Sequence, residues 1–92
     1  MIRVFHCLDP RAMIPGVEPR RFPDGYRAVA TVQTDDLEVA FELTNTIHCA
    51  WWENEGVEAL IGPCRSSSVG DVFVKEDNSR WLVLGAEWKE IR

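Results

Sequence analysis

Residues 65–74 read Arg-Ser-Ser-Ser-Val-Gly-Asp-Val-Phe-Val, a polar loop that passes through a Gly-Asp turn directly into an apolar strand. Serine hydroxyls can satisfy backbone groups in a tight loop, and Gly70 allows the positive φ that such turns need. Val72, Phe73 and Val74 are β-branched or aromatic, which is typical of a buried strand. The stretch therefore predicts a structured loop that leads into a central strand.

The C-terminal side of this stretch predicts further antiparallel strands. A strand over 71–75, a turn at 76–79 and a return strand over 80–84 form a hairpin pattern. Gly85 then favours a bulge or a bend, and the alternation of residues 87–91 predicts a final edge strand.

The N-terminal side predicts one helix, over residues 35–47. Asp35 and Glu38 have the spacing of a capping box, with Asp in place of the usual Ser or Thr. The apolar residues that follow fall on one helical stripe, namely Leu37, Ala40, Phe41, Thr44 and Ile47.

The remaining segments predict an α+β domain that comprises residues 1–92. Strands are predicted over 2–8, 26–33 and 57–61, and residues 9–25 contain four prolines that exclude a regular strand. Residues 48–56 either extend the helix or form an aromatic loop. This order favours a mostly antiparallel sheet of four to five strands with one helix packed on a face, and a half-open small barrel is the alternative.

Composition predicts a cytoplasmic protein. The three cysteines are an odd number without a CxxC pair, which favours reduced thiols over a disulfide framework. Arg3 and His6 interrupt the N-terminal apolar segment too early for a signal peptide, and no apolar run approaches the ~18 residues of a membrane span. The oligomeric state is left open.

Charge is distributed unevenly along the chain. Residues 1–27 carry +2, residues 28–64 carry −7 with no Lys or Arg, and residues 65–92 carry 0, which gives the net charge of −5. If the seven central acids share a face, their field would attract a basic protein and repel nucleic acid, so no direct nucleic-acid contact is expected. A solvated face that aids solubility is the simpler alternative. The acids are Asp35, Asp36, Glu38, Glu42, Glu53, Glu55 and Glu58.

Adjacent tryptophans follow the predicted helix. Trp51 and Trp52 are candidate anchors at a protein interface if they are exposed, and core residues if they are not. With all the central acids except Glu58, they make up the predicted protein-binding surface.

Metal binding and catalysis have weaker support. The potential zinc ligands His6, Cys7, His48, Cys49 and Cys64 lack the usual paired spacing, so no metal or other cofactor is predicted. Residues 66–68 or Cys64 could pair with His48 as nucleophile and base, but no nucleophile motif surrounds them, so no catalytic residue is predicted.

The segment from Arg65 to Ile91 resembles the YodL-like family of small domains. The resemblance is carried by an R-S-x-S-V-[GS]-D-V loop and by a closing strand with Gly85 and Trp88. The matching loop residues are Arg65, Ser66, Ser68, Val69, Gly70, Asp71 and Val72. The resemblance implies a protein of a phage or mobile element that binds a partner, with no activity attached to the family.

Two functions of different classes follow from these patterns. The first is a non-enzymatic binding module that contacts a protein partner, such as a host nucleic-acid-binding complex, and inhibits a host defence system through an acidic surface. The second is a small hydrolase or transferase built on Arg65, Ser68 and Asp71. A zinc-stabilised domain is a third reading.

Overall fold

The computed structural model describes residues 1–8, 22–46, 50–62, 64–85 and 87–91. These residues form six strands, one α-helix and one short 3₁₀ helix. In chain order the elements are β1 (Ile2–Cys7), β2 (Tyr26–Val32), α1 (Leu37–Thr44), the 3₁₀ helix (Trp51–Glu53), β3 (Val57–Ala59), β4 (Val72–Val74), β5 (Arg80–Leu84) and β6 (Glu87–Ile91).

The strands form one antiparallel sheet with the order β3-β2-β1-β4-β5-β6. β1 lies between β2 and β4, and an irregularity between Val4 and Phe5 shifts its register with β2. Within the described residues the sheet is open, with β3 and β6 as its outer strands, which favours the sheet over the barrel alternative.

One face of the sheet packs against α1 and carries the larger core. Ile2, Val4, Val32 and Phe73 are completely buried there, because alternate residues of each strand point to this side. The predicted helical stripe is confirmed at Ala40 and Thr44, which are buried, and at Leu37 and Phe41, which pack against the core.

The opposite face of the sheet carries a smaller cluster. Val72, Val74 and Leu82 are buried on this side and pack against Phe5, Phe22 and other partly buried residues. Phe5 meets Phe22 edge to face at 5.1 Å between ring centroids. The central strand β4 is thus buried on both faces, as its apolar sequence predicts.

The predicted class, an antiparallel sheet with one helix on a face, is confirmed, but the sheet has six strands instead of four to five. β3 and β4 contain only three residues each. Both lie within segments predicted as strands, 57–61 and 71–75, so their positions agree with the sequence and only their lengths differ.

The helix is shorter than predicted, and its cap is the neighbouring acid. Asp36, not Asp35, is the N-cap, and its carboxylate accepts hydrogen bonds from the amides of Glu38 and Val39. The last helical residue is Thr44, three positions before the predicted end at Ile47, which lies outside the described residues. Within the described chain, no helix is long and apolar enough to cross a membrane.

Candidate functional site

The loop before β4 is organised around the buried carboxylate of Asp71. This side chain has no solvent exposure and accepts four hydrogen bonds. Its Oδ1 atom accepts from the Cys7 amide at 2.8 Å and from Arg65 Nη2 at 2.7 Å, and its Oδ2 atom accepts from Arg65 Nη1 at 2.8 Å and from the Ser68 amide at 2.7 Å. A buried carboxylate requires such partners, because desolvation without them costs several kcal/mol.

Arg65 binds Asp71 through two parallel hydrogen bonds and also binds the chain on either side. Its Nη2 atom donates to the Cys7 carbonyl at 3.0 Å, and its Nη1 atom donates to the Ser66 carbonyl at 3.0 Å. The hydrogen bonds to the Asp71 carboxylate raise the pKa of Arg65 above its already high usual value. The pair, which we call the Arg65–Asp71 clasp, therefore fastens the end of β1 to the start of β4.

A second polar chain connects the same loop to the helix. The Thr44 hydroxyl donates to the Ala40 carbonyl at 2.9 Å, so it must accept from Ser67 Oγ, which lies 2.8 Å away. Ser67 Oγ in turn accepts from Nε2 of His6 at 3.0 Å. This order assigns the neutral imidazole proton to Nε2, and burial lowers the pKa of His6 to about 4.

Backbone contacts complete the loop. Tyr26 donates its hydroxyl to the Gly70 carbonyl at 2.8 Å, and Gly70 adopts φ 94°, the positive value that the sequence predicts for this turn. The indole nitrogen of Trp51 donates to the carbonyls of Cys64 and Arg65 at 3.2 and 3.1 Å.

These contacts give the serine-rich loop a structural role. Ser67 is 2% exposed and its hydroxyl proton is directed at Thr44, so it is neither accessible nor activated as a nucleophile. Ser66 Oγ donates to the Thr46 carbonyl at 3.4 Å. Because the Asp71 carboxylate is sealed from solvent, a substrate cannot reach it. The geometry therefore leaves Ser67 and Asp71 inaccessible to a substrate, whereas Ser68, the serine of the hydrolase or transferase alternative, is half-buried.

The candidate zinc ligands do not form a group among the described residues, where no cluster of three or more His, Cys, Asp or Glu side chains could hold a metal ion. His6 and Cys7 are adjacent on β1 and point to opposite faces of the sheet. Burial raises the pKa of the half-buried Cys64 thiol, which disfavours the thiolate that zinc requires. His48 and Cys49 lie outside the described residues.

The start of α1 forms an acidic groove with β6. Asp35, Asp36 and Glu38 line this surface groove of about 490 Å³ together with Leu37, Lys75 and Trp88. Glu38 Oε1 accepts a hydrogen bond from the Trp88 indole at 2.8 Å, and Trp88 packs edge to face on the core ring of Phe73. An indole on the core side and carboxylates at the rim make a site suited to a cation.

Two of these acids also have structural partners. Asp36 caps the helix, and Asp35 lies 3.3 Å from the N-terminal amine, which also pairs with Glu76 at 3.2 Å. Both side chains of the Asp35 pair are largely exposed, so this ion pair contributes little to stability.

All seven central acids are exposed, but they do not share one face. Glu58 pairs with Thr31, and Thr31 pairs with Arg3, so all three point away from α1. Glu42, Glu53 and Glu55 are exposed and have no cation within 4 Å among the described residues. The acidic surface is therefore a groove at the helix start with separate acids elsewhere, not one continuous array.

The two adjacent tryptophans have different environments, and the prediction that Trp51 contacts a partner is wrong. Trp51 is 2% exposed and belongs to the main core, so it cannot serve as an interface anchor. Trp52 is half-buried and packs edge to face on Trp51 at 5.8 Å. Trp52 therefore stays a candidate contact.

Sequence reasoning missed several residues that build the two sites. Ser67 and Thr44 provide the buried hydroxyls, and only the position of Thr44 on the buried helical stripe gave a signal for it. Trp88 was identified only as part of the closing strand, although its alternation with Glu87 and Lys89 places it on one face. Its pairing with Glu38 joins residues 50 positions apart, which no local pattern indicates.

Comparisons of the chain with protein-family models, with curated proteins and with solved structures found no match.

Proposed function

We propose that this chain is a non-enzymatic binding module that receives a basic side chain or segment of a partner protein in the acidic groove at the start of α1. The observation that carries the proposal is the grouping of three exposed carboxylates with the Trp88 indole. Lysine and arginine interact favourably with carboxylates and with the faces of aromatic rings at such interfaces.

The charge balance of the groove supports a cationic occupant. Three carboxylates and the Lys75 ammonium line it, and the N-terminal ammonium lies 3.3 Å from Asp35, so its net charge remains negative. The whole chain also carries −5, which increases the rate of encounter with a basic protein. A basic partner that handles nucleic acid in the cytoplasm, such as a host defence complex inhibited by a phage or mobile-element protein, is the finer form of this proposal.

The test compares two triple variants as bait in extracts of the native host. Asp35→Asn, Asp36→Asn and Glu38→Gln together remove the charge of the groove, and Asn at position 36 retains a good helix cap. The matched control, Glu53→Gln, Glu55→Gln and Glu58→Gln, removes the same charge elsewhere. We expect the wild-type chain and the control to retain the same basic partner, identified by mass spectrometry, and the groove variant to lose it.

Two controls accompany this comparison, the folding of the variants and the salt dependence of partner retention. Circular dichroism and thermal melting verify that both variants fold, and retention should weaken as salt concentration rises. Equal retention by the groove variant would refute the proposed contact surface. If the partner is a nuclease complex, adding the wild-type chain should reduce its cleavage rate, and adding the groove variant should not.

A further inference from the structure

A row of side chains on the sheet face opposite α1 places two arginines on either side of a buried valine. Arg3 of β1 pairs with Val74 of β4, and Val74 pairs with Arg80 of β5. Directly paired residues share a face, and neighbouring strands lie about 4.8 Å apart, so the two arginine Cα atoms are about 10 Å apart. Both guanidinium groups can therefore reach one small ligand above Val74.

The two arginines border a groove of about 400 Å³. Its apolar wall includes Phe5, Phe22 and Pro23, and Val74 lies at its base. Sites for small molecules commonly have this size and combine apolar walls with a few converging polar groups.

Within the described part of the chain, no ion pair neutralises the positive charges of this groove. Among the described residues, neither Arg3 nor Arg80 has a carboxylate within 4 Å. Arg3 donates to Asn78 Oδ1 at 3.2 Å, which leaves the Asn78 amide nitrogen as a further donor. Arg80 lies over the Phe22 ring at 5.1 Å, so its planar cation is held in place before any ligand arrives.

We propose that this groove binds a small organic phosphate with a flat body, of the chemical class of a nucleoside monophosphate. The phosphate takes the two guanidinium groups and the Asn78 amide as donors, and the flat body packs on the wall formed by Phe5, Phe22 and Pro23. Two arginines suit the doubly charged phosphate better than a carboxylate, which one guanidinium satisfies. A short ligand is favoured over a long nucleic acid because the rest of the chain is acidic.

The experiment titrates the folded chain with adenosine monophosphate and follows binding by calorimetry and by amide chemical shifts. We expect the shifts to concentrate at residues 3, 74, 78 and 80. Arg3→Gln and Arg80→Gln should each weaken binding by about tenfold or more, as expected for loss of a charged hydrogen bond. Arg27→Gln is the matched control, because Arg27 is an exposed arginine that pairs with His6 on the other face.

Companion ligands distinguish the parts of the proposal. Adenosine and inorganic phosphate should each bind at least about tenfold more weakly than adenosine monophosphate, because each lacks one half of the contacts. A single-stranded oligonucleotide is tested in the same way. If it binds more tightly than adenosine monophosphate, and if both arginine variants abolish this binding, the natural ligand is a nucleic acid instead of a free nucleotide.

Four results would overturn the inference. These are absence of binding at millimolar ligand, equal weakening by Arg27→Gln, binding of inorganic phosphate as tight as that of the nucleotide, and tighter binding of the carboxylate analogue of adenosine. Arg80→Lys retains the charge but not the planar stacking, so it should bind partially, and the amide spectrum of Arg80→Gln itself verifies that this variant is folded.

Discussion

At the scale of single residues, the Arg65–Asp71 clasp connects β1, the serine-rich loop and β4 through hydrogen bonds. Arg65 is partly exposed, with 35% of its side-chain surface accessible, whereas Asp71 is completely buried. The positively charged guanidinium of Arg65 therefore lies between the buried Asp71 carboxylate and the solvent. Because Asp71 also accepts from two backbone amides, its loss affects both β1 and the loop that precedes β4.

Replacing Asp71 with Asn should lower the free energy of unfolding by about 3 kcal/mol or more, because the Arg65 guanidinium loses its counter-ion and the amide nitrogen faces other donors. Urea denaturation measures the loss. The control Glu90→Gln removes an exposed carboxylate from β6 and should change stability by less than about 0.5 kcal/mol.

A double variant tests whether the clasp acts as a unit. Asp71→Asn combined with Arg65→Gln should be more stable than the sum of the two single losses predicts, since each single variant leaves an unpaired partner. Strict additivity, or a loss below about 1 kcal/mol for Asp71→Asn, would show that the clasp does not hold β1 and β4 together.

At the scale of elements, α1 depends on its cap and on the sheet. An eight-residue helix is too short to be stable alone, so it relies on the packing of its buried stripe and on the carboxylate of Asp36. Thr34 contributes by accepting a hydrogen bond from the Asp36 amide at 3.1 Å, which orders the chain just before the cap.

The cap can be tested by substitutions at two neighbouring acids. Asp36→Ala should lower the free energy of unfolding by about 1 kcal/mol, whereas Asp36→Asn should be nearly neutral, because Asn is an equally good N-cap. Asp35→Ala serves as the control and should change stability by only a few tenths, since its partner is the exposed N-terminal amine. Thermal melting distinguishes these values. A larger loss for Asp35→Ala than for Asp36→Ala would show that Asp36 is not the N-cap.

At the scale of the whole molecule, one polar chain links the sheet, the loop and the helix. His6 on β1, Ser67 in the loop and Thr44 at the end of α1 form it, and all three are buried. Burial disfavours a charged imidazole in this chain, and this effect outweighs the opposing attraction of the Asp71 carboxylate, which lies 3.7 Å from His6 Nε2.

Stability should therefore fall in mild acid. The pKa of His6 is about 4 in the folded chain, compared with the ordinary value of 6.5. Between pH 6.5 and about 4, the imidazole of His6 is protonated in the unfolded chain but not in the folded chain, so acid favours unfolding. Denaturation should show a loss of about 2 kcal/mol between pH values of about 7 and about 5.

Substitution of the histidines identifies the source of this pH dependence. His6→Gln should abolish the loss over this range, although its stability at neutral pH is reduced. His48→Gln should retain the His6 contribution. A pH profile that is unchanged in His6→Gln would show that another group is responsible.

Local patterns were sufficient for most of the fold. The bounds of β5 and the apolar stripe of α1 agree with prediction because alternation and helical periodicity both report burial directly. The sequence does not distinguish a helix from a loop at the 3₁₀ helix Trp51–Glu53, because aromatic residues suit either. Glu38 and Trp88 lie in one groove because of the position of β6 at the outer side of the sheet. The spacing of residues in the sequence does not indicate the order of strands in the sheet.

The sites were harder to predict than the strands. The motif contains Asp71, but whether this side chain faces solvent or the core depends on Arg65, six positions before it, and on Cys7, 64 positions before it. The acids of residues 35–58 were counted correctly, yet register alone decided that Glu58 points away from α1. A count of charged residues gives the sign of the electrostatic field around the chain. Which surface carries that field depends on how the strands pair.

The position of β1 between β2 and β4 has a consequence for synthesis on the ribosome. The first strand emerges early and can pair with β2 soon afterwards, but its other neighbour, β4, begins only at Val72. Until β4 has been synthesised, the nascent chain therefore presents one unpaired backbone edge of β1 to its surroundings. When Asp71 and Val72 follow, pairing of β4 closes that edge and buries the carboxylate in the same step.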